Sequence, residues 1–271
     1  MYAQLTARQE SEISYHRDYA QKHDGLRRTR VALDVVQSPR RRPWNAYWCL
    51  YDEILKFAPV LRGKRIFVPG CGFGEDCIRL SHLGAEVHGT DLSADVIDVA
   101  RTRAANFAAA PVKLDVMPCE SLAYPDDYFD AVVFVNILHH VDIPRTIAET
   151  WRVTKPGARI FGIEMYTHSA VQQIRRMEFV EKVLYPRLRR AIYGANTPYI
   201  TPDERKIDQK ELDFITKDLD KRKTAFFHIL SERVFSSDIL PATRLDQTIC
   251  ELLGPAGRLL AARVLFSGTL T

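Results

Sequence analysis

Val68-Pro69-Gly70-Cys71-Gly72-Phe73-Gly74-Glu75-Asp76 joins an apolar run to a helix-forming run through three alternating glycines. Before it, Arg65-Ile66-Phe67-Val68 is strand-like. After it, Glu75 to Leu83 has helical spacing and stops at Gly84, a residue that ends helices well. Glycines placed this way permit positive φ and let the backbone approach a ligand closely. Working outward, Glu86 to Thr90 is a second short strand that ends at Asp91, and Ser93 is placed to cap a helix carrying Val96, Ile97, Val99 and Ala100. Val112-Lys113-Leu114 is a weak third strand, and Ala131 to Val135 is a fourth, almost wholly apolar. A helix from about Pro144 to Val153 and a strand from Ala158 to Glu164 follow, separated by Lys155-Pro156-Gly157. Strands alternating with helices in this way predict an α/β, Rossmann-like fold, a parallel sheet covered on both faces.

The flanks differ in texture. Residues 1–62 read as an N-terminal helical cap, broken at Ser38-Pro39-Arg40-Arg41-Arg42-Pro43. An apolar and aromatic stripe from Trp44 to Phe57 predicts a helix packed on the main domain, which spans 63–271. A helical lid insertion is expected at about 168–223. It includes the amphipathic stretch 171–193, with six basic and two acidic side chains and a break at Pro186, whose apolar side (Met177 and Leu184 among it) is expected to pack as a lid wall. Alternation in Phe226 to Phe235, a helix from Leu245 to Leu253 and a last apolar strand from Ala261 to Phe266 complete the chain.

Composition narrows the function classes. In 271 residues, 46% are hydrophobic and 27% charged, the balance of a globular chain able to bury a large core. No apolar run approaches the roughly 20 residues that cross a bilayer, and the charged start does not resemble a secretory signal. The five scattered cysteines contain no CxxC pair, which argues against a disulfide framework or a zinc ribbon; a cytoplasmic location and no metal are expected. A net charge of +4 does not by itself indicate nucleic acid, and no basic groove with interleaved aromatics is present, so no nucleic-acid partner is expected. The basic stretch Arg175 to Arg190 is read first as a solvated helical face. Contact with an anionic substrate, homo-oligomer contact and a membrane-surface helix are lesser readings, the last the least favoured.

Asp91 lies 17 residues beyond Gly74, at the end of the second strand. In a doubly wound sheet that places a carboxylate beside the ligand crevice, where it can accept hydrogen bonds from two ribose hydroxyls. A dinucleotide would lay its pyrophosphate on the start of the first helix. Here that start carries Glu75 and Asp76, and the third small residue of the dinucleotide fingerprint is replaced by Glu75. S-adenosylmethionine has no phosphate and carries a sulfonium and an ammonium, which nearby carboxylates favour. The sequence therefore points to this cofactor rather than to a nicotinamide, although a pure capping role for Glu75 is an equal alternative.

With these residues assembled, the chain resembles the class I S-adenosylmethionine-dependent methyltransferases that act on small molecules. The resemblance covers residues 64–166 and rests on VPGCGFG, GTDLS, YPDDYFDAVVFVNILHHV and RVTKPGARIFGIE. It implies a seven-stranded sheet, six strands parallel and one antiparallel, flanked by helices. It also implies that Gly70, Cys71, Gly72 and Gly74 line the methionine and ribose portion, that Asp91 binds the ribose and that Leu92 packs on adenine. Asn136 and Ile137 would face the transferred methyl. The chain departs from the pattern at Val68, where an acidic residue is common, so that Glu75 or an N-terminal residue would have to meet the ammonium. It departs again at Pro118, where an acidic adenine contact is usual, leaving Met117, Cys119 and Glu120 as adenine candidates.

The acceptor chemistry is read from the far end of the same edge. His139 and His140 follow the fourth strand and Glu164 ends the fifth; one histidine is expected to face the acceptor and take a proton while the other packs. Glu164 would orient an acceptor or cap a helix. Tyr15 and Tyr19 could cover the sulfonium from an N-terminal lid by cation–π attraction, against the alternative of a surface helix. His168 and His228 fall near the acceptor roof and are weaker candidates. The function expected is methyl transfer to a small organic acceptor, O-methylation ahead of C- or N-methylation, in specialised metabolism. A non-catalytic binder of the same cofactor and a nicotinamide oxidoreductase are the alternatives.

Overall fold

The computed structural model describes residues 6, 9–10, 13–14, 16–18, 24–168, 177–184, 186–187, 206–231 and 240–271. Seven strands form one sheet: β1 (Arg65–Pro69), β2 (Glu86–Asp91), β3 (Val112–Val116), β4 (Phe129–Val135), β5 (Thr154–Met165), β6 (Leu219–Phe227) and β7 (Arg263–Leu270). Their order is β3-β2-β1-β4-β5-β7-β6. The pairs among β1 to β5 are parallel, while β7 is antiparallel to both β5 and β6. Six strands therefore end at one edge of the sheet, and β7 alone begins there.

Local chemistry places the helices. Asn45 caps α1 (Ala46–Leu55) by accepting from the amides of Tyr47 and Trp48 at 3.0 and 3.2 Å. Helix α2 (Glu75–Ser81) starts straight from the glycine loop. Ser93 caps α3 (Ala94–Phe107) and Asp142 caps α4 (Ile143–Arg152), each accepting from an amide of the first turn. Asp208 and Glu211 form a capping box at α5 (Gln209–Thr216), and α6 (Leu240–Leu252) precedes β7.

Strand alternation divides the core in two. Ile66, Val68, Ala131, Val133, Phe161, Ile163 and Leu265 pack on one face with α1, α2 and α3. Phe67, Val132, Phe134, Ile160, Val264 and Phe266 pack on the other with α4 and α5. Within the expected N-terminal cap, the aromatic stripe packs on the main domain as its spacing predicts: Trp48, Leu50, Tyr51 and Ile54 of α1 are buried against the sheet.

The second half departs from expectation. β5 begins four residues before the expected Ala158, and β6 occupies Leu219–Phe227 rather than Phe226 to Phe235. The expected insertion boundary at 223 falls inside β6. From residue 206 the chain is already part of the domain: Ile207 bridges Tyr166, and Leu212 and Ile215 are buried in the second core. The cause is that β6 is an edge strand whose Asp220, Lys221, Arg222 and Lys223 are exposed, so its pattern reads as solvated loop. Charges of this kind keep an unpaired edge from recruiting another strand. In the expected lid, Met177 and Leu184 are exposed, 57% and 43%, and do not form a packed wall. Among the described residues no helix is long and apolar enough to cross a membrane.

Candidate functional site

The glycine loop is a left-handed turn repeated: Gly70, Gly72 and Gly74 have φ of 60°, 52° and 75°. At Gly70 an added Cβ would fall 2.2 Å from Cδ1 of Ile137, so the loop and the turn after β4 touch through a missing side chain. Beside Gly72 there is open space within 4 Å of where a Cβ would stand. The Cys71 amide donates to the Thr90 carbonyl at 2.8 Å, tying the loop to the end of β2.

Asp91 stands where that tie ends. Its two oxygens accept from the amides of Gly72 and Ser93, at 3.1 and 3.0 Å. Burial raises its pKa above the usual carboxylate value, against the lowering effect of the Ser93, Gly72 and Leu92 amides and of the charge of His16. A carboxylate offers about four lone-pair sites, so two amides leave capacity for a vicinal diol. Met117 follows: its amide donates to the Asp91 carbonyl at 3.1 Å. Burial holds the thiol of Cys119 well above its ordinary pKa. Glu120 accepts from the Asp142 amide at 3.1 Å and from Gln9 at 3.4 Å. Gly70, Cys71, Gly72, Asp91, Leu92, Met117, Cys119 and Ile137 thus all lie at or just after the carboxyl ends of β1 to β4, along the edge of the sheet where the ligand crevice is expected. Cradle, open space and carboxylate together fit an adenosine-bearing ligand.

Glu75 and Asp76 do not face that crevice unpaired. Glu75 meets Arg103 at 3.1 Å and Arg79 at 3.4 Å. Asp76 accepts from the hydroxyls of Tyr47 and Tyr51, the latter at 2.6 Å. Burial, together with Asp76, pushes both phenols well above their ordinary pKa. Two carboxylates expected to repel a diphosphate are therefore neutralised within the protein. What discriminates here is the bulk of Glu75 where a dinucleotide site needs a small residue, since Asp91 would serve the ribose of either ligand. Arg103, only 1% exposed, also donates to the Phe73 carbonyl at 3.1 Å and so clamps the loop from behind. The signal for it was available: Arg103 lies on the apolar stripe of α3 with Val96, Val99 and Ala100.

At the other end of the crevice, Glu164 organises the turn after β4. One carboxylate oxygen accepts from the amides of both Ile137 and Leu138 at 2.6 Å, and the other meets Nδ1 of His139 at 2.7 Å. Glu164 is fully buried and His139 is 2% exposed, so this pair is a brace in the interior. His140 is the half-buried member, with its ring 4.1 Å from that of His139. Asn136 is held at φ 51° and accepts from Arg263 of β7 at 2.7 Å, a contact no sequence spacing announces because 127 residues separate the two. His228 is buried and turned toward Asp246 at 3.9 Å, away from any role visible at the crevice.

The N-terminal residues that are described run along the same edge. Gln9 reaches Glu120, and Arg17 meets Asp95 at 3.4 Å. Tyr15 and Tyr19 lie outside the described residues.

Comparison with known proteins locates the same segment. Residues 68–162 match the model of a methyltransferase domain family. A ubiquinone biosynthesis O-methyltransferase of Brucella ovis is 34% identical over 102 residues, 37% of this chain and 41% of that protein. A ubiquinone/menaquinone biosynthesis C-methyltransferase of Geotalea daltonii is 28% identical over 118 residues, 42% of this chain and 49% of its own. The chain thus spans no more than about half of these curated relatives. Among solved structures, geranyl diphosphate C-methyltransferase of Streptomyces coelicolor A3(2), in complex with Mg2+, geranyl-S-thiolodiphosphate and S-adenosyl-L-homocysteine, superposes with a TM-score of 0.61 over all of both chains at 17% identity. The [4+2]-cyclase SpnF gives 0.51, also at 17% identity, over 94% of this chain and 96% of that one. These likenesses establish the fold, which by itself serves more than one chemistry.

Proposed function

We propose that this chain, whose residues 68–162 match a methyltransferase domain family, is a class I S-adenosylmethionine-dependent methyltransferase that transfers a methyl group to a small organic acceptor. The observation that carries the reading is the pairing of Asp91, an acid at the end of β2 held by the amides of Gly72 and Ser93, with Glu75, a bulky residue where a dinucleotide site needs a small one. Bound at this crevice, S-adenosylmethionine supplies a methyl already activated on a sulfonium.

The residues of the chain then have three tasks. Asp91 accepts the two ribose hydroxyls, and the loop at Gly70 to Gly74 follows the methionine portion at backbone distance. Met117, Cys119 and Leu92 border the adenine. The turn 136–140, braced by Glu164 and His139, presents the acceptor edge. Much of the rate comes from holding the acceptor in line with the methyl, so rigidity of this turn has direct kinetic consequence. His140 takes a proton from an acceptor that must lose one; a hydroxyl acceptor is favoured over carbon or nitrogen, in keeping with the O-methyltransferases among the relatives. Specialised metabolism is the setting we favour for such an acceptor.

The reading is tested by thermal shift and calorimetry with S-adenosylhomocysteine and NAD. Stabilisation by the first and none by the second is expected. Stabilisation by NAD alone would replace methyl transfer with hydride transfer. Label moving from methyl-labelled cofactor to a small molecule in a metabolite extract is expected of an enzyme. Tight binding of S-adenosylhomocysteine with no transfer would indicate a cofactor-binding protein instead. His140→Ala should lower kcat about 10²–10⁴-fold for a hydroxyl acceptor without changing cofactor affinity. His139→Ala should instead loosen the turn and lower stability.

A further inference from the structure

The carboxyl ends of β4 and β5 and the start of β7 bring three polar residues to one place. Met165 and Arg263 are direct cross-strand partners and so share a face of the sheet. The guanidinium of Arg263 crosses above the end of β5 to reach Oδ1 of Asn136, which follows β4. Arg263, Asn136 and Met165 are all half-buried, so solvent reaches this corner. Two residues beyond Met165, Thr167 is fully buried, and its hydroxyl has no hydrogen-bond partner among the described residues. Thr167 continues the line of β5 two residues past the cross-strand partner of Arg263, so its side chain leaves the backbone on the same side as that of Arg263, and an unpaired buried hydroxyl there is one a ligand can satisfy.

We propose that Arg263, with Thr167 and Asn136, forms a subsite for an oxyanion carried by the methyl acceptor. The proposal rests on the methyltransferase reading, since it places the subsite beside Asn136 and Ile137 at the methyl-transfer position. The ligand class is a small carboxylate or phosphate ester whose reacting atom lies on the cofactor side of the charged group. A guanidinium is planar, stays charged at any working pH and pairs with two oxygens of such a group at once, while Thr167 supplies a hydroxyl donor. The subsite would select among acceptors and fix their orientation. It is separate from the proton-accepting role given to His140.

The test uses the full chain saturated with S-adenosylhomocysteine and three probes: benzoate, phenyl phosphate and benzyl alcohol, titrated by ligand-observed NMR. At least one of the two anions is expected to bind ~tenfold or more tightly than the neutral alcohol, and whichever does so identifies the oxyanion. Arg263→Gln should erase that preference and Arg263→Lys should keep part of it. Thr167→Val should weaken the anion several-fold, and S-adenosylhomocysteine should bind all variants as it binds the parent. No preference in the parent, or a preference that survives Arg263→Gln, would overturn the subsite. So would loss of S-adenosylhomocysteine binding in both Arg263 variants, because Arg263 would then only brace Asn136. Failure of the parent to bind S-adenosylhomocysteine at all is a different result: it removes the methyltransferase reading, and the subsite with it.

Discussion

The two ends of the sheet edge are built from different materials. Over β1 and β2 the site is made of backbone: three glycines at positive φ, the amides of Gly72 and Ser93, and one carboxylate, Asp91. Over β4, β5 and β7 it is made of side chains drawn from distant parts of the chain, with Glu164 reaching back to the turn at 137–139 and Arg263 reaching across to Asn136. A backbone site tolerates little variation, since only glycine supplies its angles and spaces. A side-chain site can be rebuilt residue by residue. Under the proposed function, cofactor recognition is fixed at the first end, and acceptor choice is left open to change at the second.

Substitutions that cross this divide should separate the two. The largest effect is expected at Gly70. Gly70→Val would drive a side chain into Ile137 at a backbone angle that branched residues avoid. We expect cofactor binding to fall more than ~100-fold by calorimetry, a loss of over about 2.7 kcal/mol. Next is Asp76→Ala, which strips the partner from two buried tyrosine hydroxyls that fasten α1 to α2. A destabilisation of about 2–4 kcal/mol in urea unfolding is expected, with the ligand edge otherwise intact. Arg103→Leu comes third. It leaves the Phe73 carbonyl and Glu75 without their clamp and should weaken the cofactor ~tenfold while changing acceptor preference little. Equal effects on both ligands would mean that the two ends are one mechanical unit.

The smallest expected effect is a pH dependence remote from either end. His88 is packed among Phe67, Tyr124, Tyr128 and Phe129, and burial lowers its pKa from 6.5 despite its bond to Glu86. A histidine whose folded pKa lies below its unfolded one stabilises the protein above pH 6.5 and loses that contribution as the pH falls through and below this value. Melting temperature should therefore drop from pH 7 to pH 5, and His88→Phe should reduce the slope. An unchanged slope would assign the acid sensitivity to other groups.

The same contrast explains what the sequence discloses. The glycine loop, Asp91 and the strands β1, β2 and β4 are legible because local chemistry dictates them: positive φ needs glycine, and a strand buried on both faces must be apolar. β6 is not legible, because an edge strand protects itself with Asp220, Lys221, Arg222 and Lys223 and so resembles a loop. Glu75 and Asp76 are legible as charges but not as partners of Arg103, Tyr47 and Tyr51, which come from other elements. Of the two histidines after β4, spacing alone cannot tell the braced one from the accessible one. Burial of His139 against Glu164 decides it.

The central claim is that Asp91 holds the ribose of an adenosyl cofactor. The most direct measurement is calorimetry of S-adenosylhomocysteine with the parent protein and with Asp91→Asn, which keeps the shape and one of the two amide contacts, and Asp91→Ala. Binding weaker by about 1–3 kcal/mol in Asp91→Ala, and by less in Asp91→Asn, is the predicted result. Equal affinity in all three proteins would contradict the account.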